Sequence, residues 1–318
     1  MAVKPADVAT AGARIMDQVG TVIVGKRPVL ERMLLAILCD GHVLIEDYPG
    51  LAKTLMAKCF ATALGCTFKR VQFTPDLLPA DITGTYVFDR KASEFVLRTG
   101  PVFTNVLLAD EINRAPPKTQ AALLEAMQER QTTLEGQTHA LPRPFVVFAT
   151  QNPIEYEGTY PLPEAQVDRF LMRIDIGYPT RDEEKEILDR RRERRSDDVK
   201  IAAAADPEVV LALQAAIEDV HLDDDVERYI VDIVARTREH SQVEVGASPR
   251  GSLALMKLGR AQAAIRGRDF VVPDDVKGVA VEALAHRVLL KPDPWIKGVR
   301  TAKIVREVLA AVPVPKVE

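Results

Sequence analysis

The sequence predicts an α/β protein: a parallel sheet between helices, carrying an inserted β-hairpin, followed by a smaller all-helical domain. Three observations lead there. Short apolar runs at Leu44-Ile45, Val106–Ala109 and Phe145–Ala149 each end in polar residues, as strands buried on both faces do. Helical periods separate them. Beyond Gly177-Tyr178-Pro179-Thr180 the pattern is helical, with no clear buried strand, so the two domains are expected at 1–180 and 181–318. A chain of 318 residues is long enough for two domains, each with its own core.

The stretch around which the rest is organised runs from Leu44 to Thr54. An apolar strand, a Pro49-Gly50 turn and the helix opening Lys53-Thr54-Leu55 follow one another. That order aims backbone N–H groups at a phosphate, with Lys53 reaching the β- and γ-phosphates and the Thr54 hydroxyl a ligand for Mg²⁺. The phosphate-loop pattern G-x-x-x-x-G-K-[ST] has Asp47 and Ala52 in its two glycine places here, while Gly50 remains. Asp47, Tyr48, Pro49, Gly50, Leu51, Ala52, Lys53, Thr54 and Leu55 are therefore the candidate nucleotide-binding segment. An ordinary strand-turn-helix corner is the plainer reading of the same residues.

Upstream, residues 8–40 carry two helical patterns around Val22-Ile23-Val24-Gly25-Lys26, the second from Pro28 to Cys39 with Leu30, Met33, Leu34 and Ile37 on one face. Beside a phosphate loop, Ile23, Val24 and Gly25 are candidates for cradling adenine, although plain core packing suits them equally. Downstream, Thr67–Phe73 alternates like a strand, and residues 74–85 are too rich in Pro and Gly for a long helix. A hairpin follows, with strands at Tyr86–Phe88 and Glu94–Leu97 and a turn at Asp89–Ser93.

Asn105–Glu111 is an apolar strand ending in two adjacent acids, and ligands of open α/β sheets bind at that carboxyl edge. Asp110 then suits Mg²⁺ and Glu111 suits polarising an attacking water. A helix begins near Pro116-Pro117, with Leu123, Leu124 and Met127 on its apolar face. Gln131–Gly136 reads as a short strand and turn, and Phe145–Thr150 as a buried strand ending at Gln151-Asn152-Pro153. Asn152 is placed to orient a water, or simply to form a turn. Arg169, at the end of a short helix before the strand Leu171–Ile176, could reach a neighbouring subunit's γ-phosphate or pair with Asp168 or Glu164. Further helices are expected near 207–220, 223–241, after Ser248-Pro249-Arg250, after Pro273 and over Ile304–Leu309, with Asp189–Asp198 as a solvated helix end.

Composition narrows the rest. Hydrophobic content of 47% and charged content of 28% describe a globular chain, and a net charge of −4 offers no footprint for a polyanion. That charge balance argues against nucleic acid as a ligand. Cys39, Cys59 and Cys66 lack metal-ligand spacing and read as buried thiols in a reducing compartment. No signal-peptide core or membrane-spanning run is present, so a cytoplasmic location is expected.

Four stretches together, IEDYPGLAKT, LLADEINRAPPKTQAALLEAMQE, FATQNPIEYEGTYPLPEAQVDRF and GASPRG, are similar to the MoxR family of AAA+ ATPases. The resemblance runs from about Ile23 to Pro315. It implies a Walker A motif at Asp47–Thr54, a Walker B motif at Leu107–Glu111, sensor 1 at Asn152, an arginine finger at Arg169 and a sensor 2 at Arg250 on a helical lid that clamps ATP. The hairpin within residues 74–97 corresponds to an insertion of this AAA+ branch. The resemblance further implies ATP and Mg²⁺ as cofactors and a homo-oligomeric, usually hexameric ring. It implies chaperone-like remodelling of partner complexes, often with von Willebrand factor A-domain proteins and possible metal-cofactor insertion. A nucleotide-gated scaffold with negligible turnover and a DNA motor are the competing readings.

Overall fold

The structure, a computed structural model, describes residues 3–152 and 158–315. The chain begins with helices α1 (Pro5–Gly20) and α2 (Arg27–Leu38), then strand β1 (Val43–Glu46), α3 (Lys53–Ala63) and β2 (Phe68–Gln72). A short α4 (Pro79–Thr83) leads into β3 (Gly84–Asp89) and β4 (Glu94–Thr99). The acidic strand β5 (Val106–Asp110) is followed by α5 (Pro117–Glu129), β6 (Gln131–Leu134), β7 (Gln137–Ala140), β8 (Val146–Gln151), α6 (Glu164–Val167) and β9 (Met172–Ile174).

The five strands β2-β5-β8-β1-β9 form one sheet in that order, every pair parallel. The central three are buried because VLIE, VLLAD and VVFATQ offer apolar side chains to both faces. Parallel register puts all the polar strand tips on one edge. Glu46 lies beside Gln151, and Gln72 beside Asp110.

The hairpin β3–β4 pairs from Gly84↔Thr99 to Asp89↔Glu94. Gly84 can only be glycine there: its φ is +94° and a Cβ would run into the backbone of Arg98–Gly100. The strand and turn expected at 131–136 are completed by β7 into a second hairpin, because Glu135-Gly136 supplies two residues with positive φ. Pro153, expected just past the strand tip, lies outside the described residues.

The remainder holds α7 (Arg181–Arg194), α8 (Pro207–Glu218), α9 (Asp224–Glu239), β10 (Val243–Val245), α10 (Pro249–Ile265), α11 (Pro273–Leu284), β11 (Leu289–Leu290), α12 (Pro292–Ile296) and α13 (Thr301–Ala311). Two details depart from expectation. The helical region contains a small antiparallel pair, β10–β11, too short and too half-exposed to leave a strand pattern in the sequence. Nor does each domain have a separate core. One apolar cluster runs from Ile15, Met33 and Phe60 on one face of the sheet into Leu213, Ile233, Leu258 and Val279. A second cluster, with Phe73, Leu123, Phe145 and Phe170, fills the opposite face.

Cys39 and Cys59 are buried as expected, whereas Cys66 is only half-buried. Loss of water raises all three thiols, Cys59 and Cys66 to about 11, so they are inert at neutral pH.

Candidate nucleotide site

The loop joining β1 to α3 is held by its first residue. Asp47 is buried, and its Oδ2 accepts the backbone N–H groups of Ile176 (2.6 Å) and Gly177 (2.5 Å) while Oδ1 accepts that of Tyr48 (2.8 Å). A glycine at this place could make none of these bonds. The acid therefore ties the loop to the chain segment leaving β9. Asp47→Ala strands three buried or half-buried donors, and a loss of about 3 kcal/mol is expected in a chemical-denaturation curve.

Gly50 (φ +82°) and Ala52 (φ +57°) both take the left-handed conformation. Ala52 is exposed, so its Cβ crowds nothing; the departure from glycine is instead a backbone cost of about 1–2 kcal/mol. Ala52→Gly is accordingly expected to raise the unfolding midpoint by an amount worth about 1 kcal/mol. Immediately after Ala52, α3 presents N–H groups that have no partner within the helix.

Two cavities flank this loop. The polar one, about 480 Å³, is lined by Asp47, Pro49–Leu55, Arg70, Gln72, Asp110, Glu111 and Thr150–Asn152. It lies on the carboxyl edge of the sheet, where the tips of β1, β2, β5 and β8 converge. The more apolar one, about 280 Å³, is lined by Val22, Ile23, Val24, Met56, Ile176 and Pro179 together with Lys26, Arg190, Arg191 and Arg194, with Gly50, Leu51, Ala52 and Leu55 shared between the two. Of the expected adenine-side residues, Ile23 and Val24 line this cavity and Gly25 does not; Gly25 has φ +61° and a Cβ there would collide with the Glu183 carboxylate. Tyr48 lines neither cavity and stacks on Tyr178 at 5.7 Å.

Inside the polar cleft Lys53 Nζ donates to the Asp47 carbonyl. Burial pulls the Lys53 pKa down, and Asp47, Asp110 and Glu111 pull it back. Asp110 Oδ1 accepts from Thr150 Oγ1 (2.6 Å), and Thr150 Oγ1 in turn accepts from the Glu111 N–H (2.8 Å). Asp110 Oδ2 is held by Arg70, at 2.6 Å from Nη2 and 3.1 Å from Nε. Glu111 Oε2 accepts from Gln72 Nε2 (2.7 Å) and pairs with Arg114 Nε (2.9 Å). Glu111 itself sits at φ +56°, a strained setting that turns its carboxylate out of the strand line. Asn152 is buried on the cleft wall.

Thr54 and Asp110 line the same cleft, so a hydroxyl and a carboxylate oxygen face one space. These are hard donors suited to Mg²⁺, and no group of three or more His, Cys, Asp or Glu among the described residues forms a closed metal cage. A cation that keeps several waters and shares substrate phosphates fits such a sparse set.

Arg169 and Arg250 are elsewhere. Both line a third cavity, of about 270 Å³, with Asp40, His42, Arg130, Asp168, Lys257 and Arg287. His42 and Leu171 precede β1 and β9, so this cavity opens at the amino edge of the sheet. Five residues of extended chain from His42 to Asp47 put roughly 16 Å between the two edges. Arg250 is paired with Asp168 at 3.8 Å and lines this cavity, not the cleft around the phosphate loop. Arg169 makes no ion pair with Asp168 or Glu164; its Nη1 reaches the Leu124 carbonyl at 3.4 Å. Asp168 is taken by Arg287 instead, Nε to Oδ1 at 2.8 Å.

Residues 42–172 match the model of the ATPase family associated with various cellular activities (AAA), and residues 235–308 match the AAA lid domain. The MoxR1 chaperone of Mycobacterium tuberculosis is 44% identical over 96% of this chain and 82% of its own length. This chain belongs to the MoxR family of AAA+ ATPases. The YeaC protein of Bacillus subtilis is 47% identical over 95% of the chain and 94% of its own length. A crystal structure from Cytophaga hutchinsonii, put forward as an ATPase, superimposes with a TM-score of 0.92 at 40% identity, covering 98% of this chain and 97% of that one. As a MoxR-family chain it has the parallel sheet and helical lid expected of it, and no helix among the described residues is long and apolar enough to cross a membrane.

Gln72, Thr150 and Arg70 are site residues that sequence reading missed. Alternation in Thr67–Phe73 puts Arg70 and Gln72 on one face, but only the pairing of β2 with β5 shows that this face meets Asp110.

Proposed function

We propose that this chain is a Mg²⁺-dependent ATP hydrolase acting in a homo-oligomeric ring, and that its turnover remodels partner protein complexes. One observation carries the catalytic part. Lys53, Thr54, Asp110, Glu111 and Asn152 share a single cleft with the open N-terminus of α3, beside an apolar cavity of the size a nucleobase needs. In this reading the α3 N–H groups and Lys53 hold the β- and γ-phosphates. Thr54 and Asp110 would hold Mg²⁺, which would supply charge neutralisation for phosphoryl transfer. Glu111 accepts the proton of the attacking water and Asn152 orients that water. Glu111 has first to leave Gln72 and Arg114.

Arg169 and Arg250 complete the site from the amino edge of a neighbouring copy, since neither reaches the cleft of its own chain. Hydrolysis then depends on assembly. The same reading includes a partner with a von Willebrand factor A domain, a hexameric ring and a cytoplasmic setting, and family membership is what supports them. The M. tuberculosis relative's name as a chaperone supports the remodelling role.

A second reading, a nucleotide-gated scaffold, has its own support: both acids are already engaged by arginines in this structure. Steady-state phosphate release from the assembled protein separates them. Mg²⁺-dependent release is expected, and release at the level of buffer sinks the hydrolase. Arg70 offers a finer check. Its guanidinium occupies the charge of Asp110 that Mg²⁺ needs, so Arg70→Ala is expected to lower the Mg²⁺ concentration for half-maximal nucleotide binding by about 3–10-fold, equivalent to 0.7–1.4 kcal/mol for a half-exposed ion pair. A magnesium titration of a fluorescent nucleotide reads it.

A further inference from the structure

The amino-edge cavity is lined by five cations, Arg130, Arg169, Arg250, Lys257 and Arg287, against two acids, Asp40 and Asp168. Two of its arginines come from different parts of the fold. Arg169 lies on the segment entering β9, and Arg250 lies in the first turn of α10. Something must set the distance between them.

One carboxylate does so. Asp168, adjacent to Arg169, receives the Ser248 hydroxyl (3.0 Å), which is also the N-cap of α10, together with Arg250 (3.8 Å) and Arg287 (2.8 Å). Arg287 has a side chain only 3% exposed and clamps the same segment by its main chain. Its Nη2 donates to the carbonyls of Phe170 (2.8 Å) and Asp168 (3.2 Å), and its Nη1 to that of Leu171 (3.3 Å). The backbone that carries Arg169 is thereby fastened to the lid through three main-chain carbonyls. Asp168 offsets the repulsion between the two lid guanidiniums, Arg250 and Arg287, and its carboxylate is what ties both of them to the segment carrying Arg169.

We propose that Asp168 and Arg287 are a positioning pair that presents Arg169 and Arg250 as one rigid half-site for the polyphosphate bound by a second copy of this chain. The inference rests on the proposed trans role of Arg169 and goes beyond it, because Asp168 and Arg287 are assigned to act through the two arginines. A buried arginine fork on main-chain carbonyls suits that duty. It fixes a backbone in place, whereas a contact between side chains alone would leave it free to shift.

The test uses Asp168→Asn and Arg287→Lys, each in the full-length protein. Phosphate release is measured alone and in mixtures with Glu111→Gln protein, which keeps both arginines and lacks the base. Arg169→Ala runs in parallel, and nucleotide affinity is measured for each variant. The expected result is unchanged nucleotide affinity, a loss of release of about 10–100-fold, as for a catalytic group displaced by about 1 Å, and recovery in the mixture. A protein whose fold is merely weakened would not recover there.

Wild-type release from both positioning variants, or losses that the mixture does not recover while it does recover Arg169→Ala, would overturn the positioning role and leave the trans arginine standing. Failure of Arg169→Ala to lose activity, or to regain it in the mixture, would remove the trans arginine and this inference with it. Asp168→Asn, isosteric and partly exposed, carries the test if Arg287→Lys does not fold.

Discussion

Glu111→Gln is expected to cut steady-state phosphate release by about 10²–10⁴-fold, the range over which a positioned general base acts. Nucleotide affinity should stay within about twofold, because the residues assigned to the phosphates, Lys53 and the first turn of α3, are untouched. The substitution is nearly isosteric, and its amide oxygen can still accept the Gln72 side chain that now bonds Oε2 at 2.7 Å. The strained backbone at φ +56° is a feature of the loop and persists. What disappears is a carboxylate able to take a proton. Single-turnover and steady-state assays on the assembled protein read the effect. Hydrolysis near the wild-type rate would strip Glu111 of its role and leave the scaffold reading in possession.

Lys53→Ala is expected to weaken nucleotide binding itself, by about 10–100-fold, the 1.5–3 kcal/mol of one charged hydrogen-bonding group. The half-buried ammonium has only the Asp47 carbonyl as a hydrogen-bond partner in the described structure and can swing to a phosphate without breaking an ion pair. Equilibrium titration with a fluorescent nucleotide measures the change. Undiminished affinity would place the phosphates away from α3. The two variants discriminate: one stops the chemistry with the ligand in place, the other loses the ligand.

Much of the site could be read in the residues. Lys53-Thr54 after an apolar strand, and Asp110-Glu111 at the end of another, are local patterns in which the backbone direction follows from neighbours in sequence. Asn152 was found the same way, as the polar tip of a third strand. Arg70, Gln72 and Thr150 were not, because their roles arise from pairing between strands that are tens of residues apart. Asp47 looked like a defect in a motif. It proved to be a tie to Ile176 and Gly177, and no spacing rule relates those positions.

The arginines mark the limit most sharply. Periodicity and punctuation in the chain were enough for the α/β class, the order of elements and the acids at the carboxyl edge, since each depends on short-range backbone preferences and on which side chains avoid water. They could not say on which edge of the sheet Arg169 and Arg250 would lie. That followed from folding the lid back onto α1, α2 and the segment before β9, where apolar burial across one shared core and the Arg287 fork outweigh any local preference. Long-range packing placed the two guanidiniums together, beyond the reach of their own chain's phosphate loop.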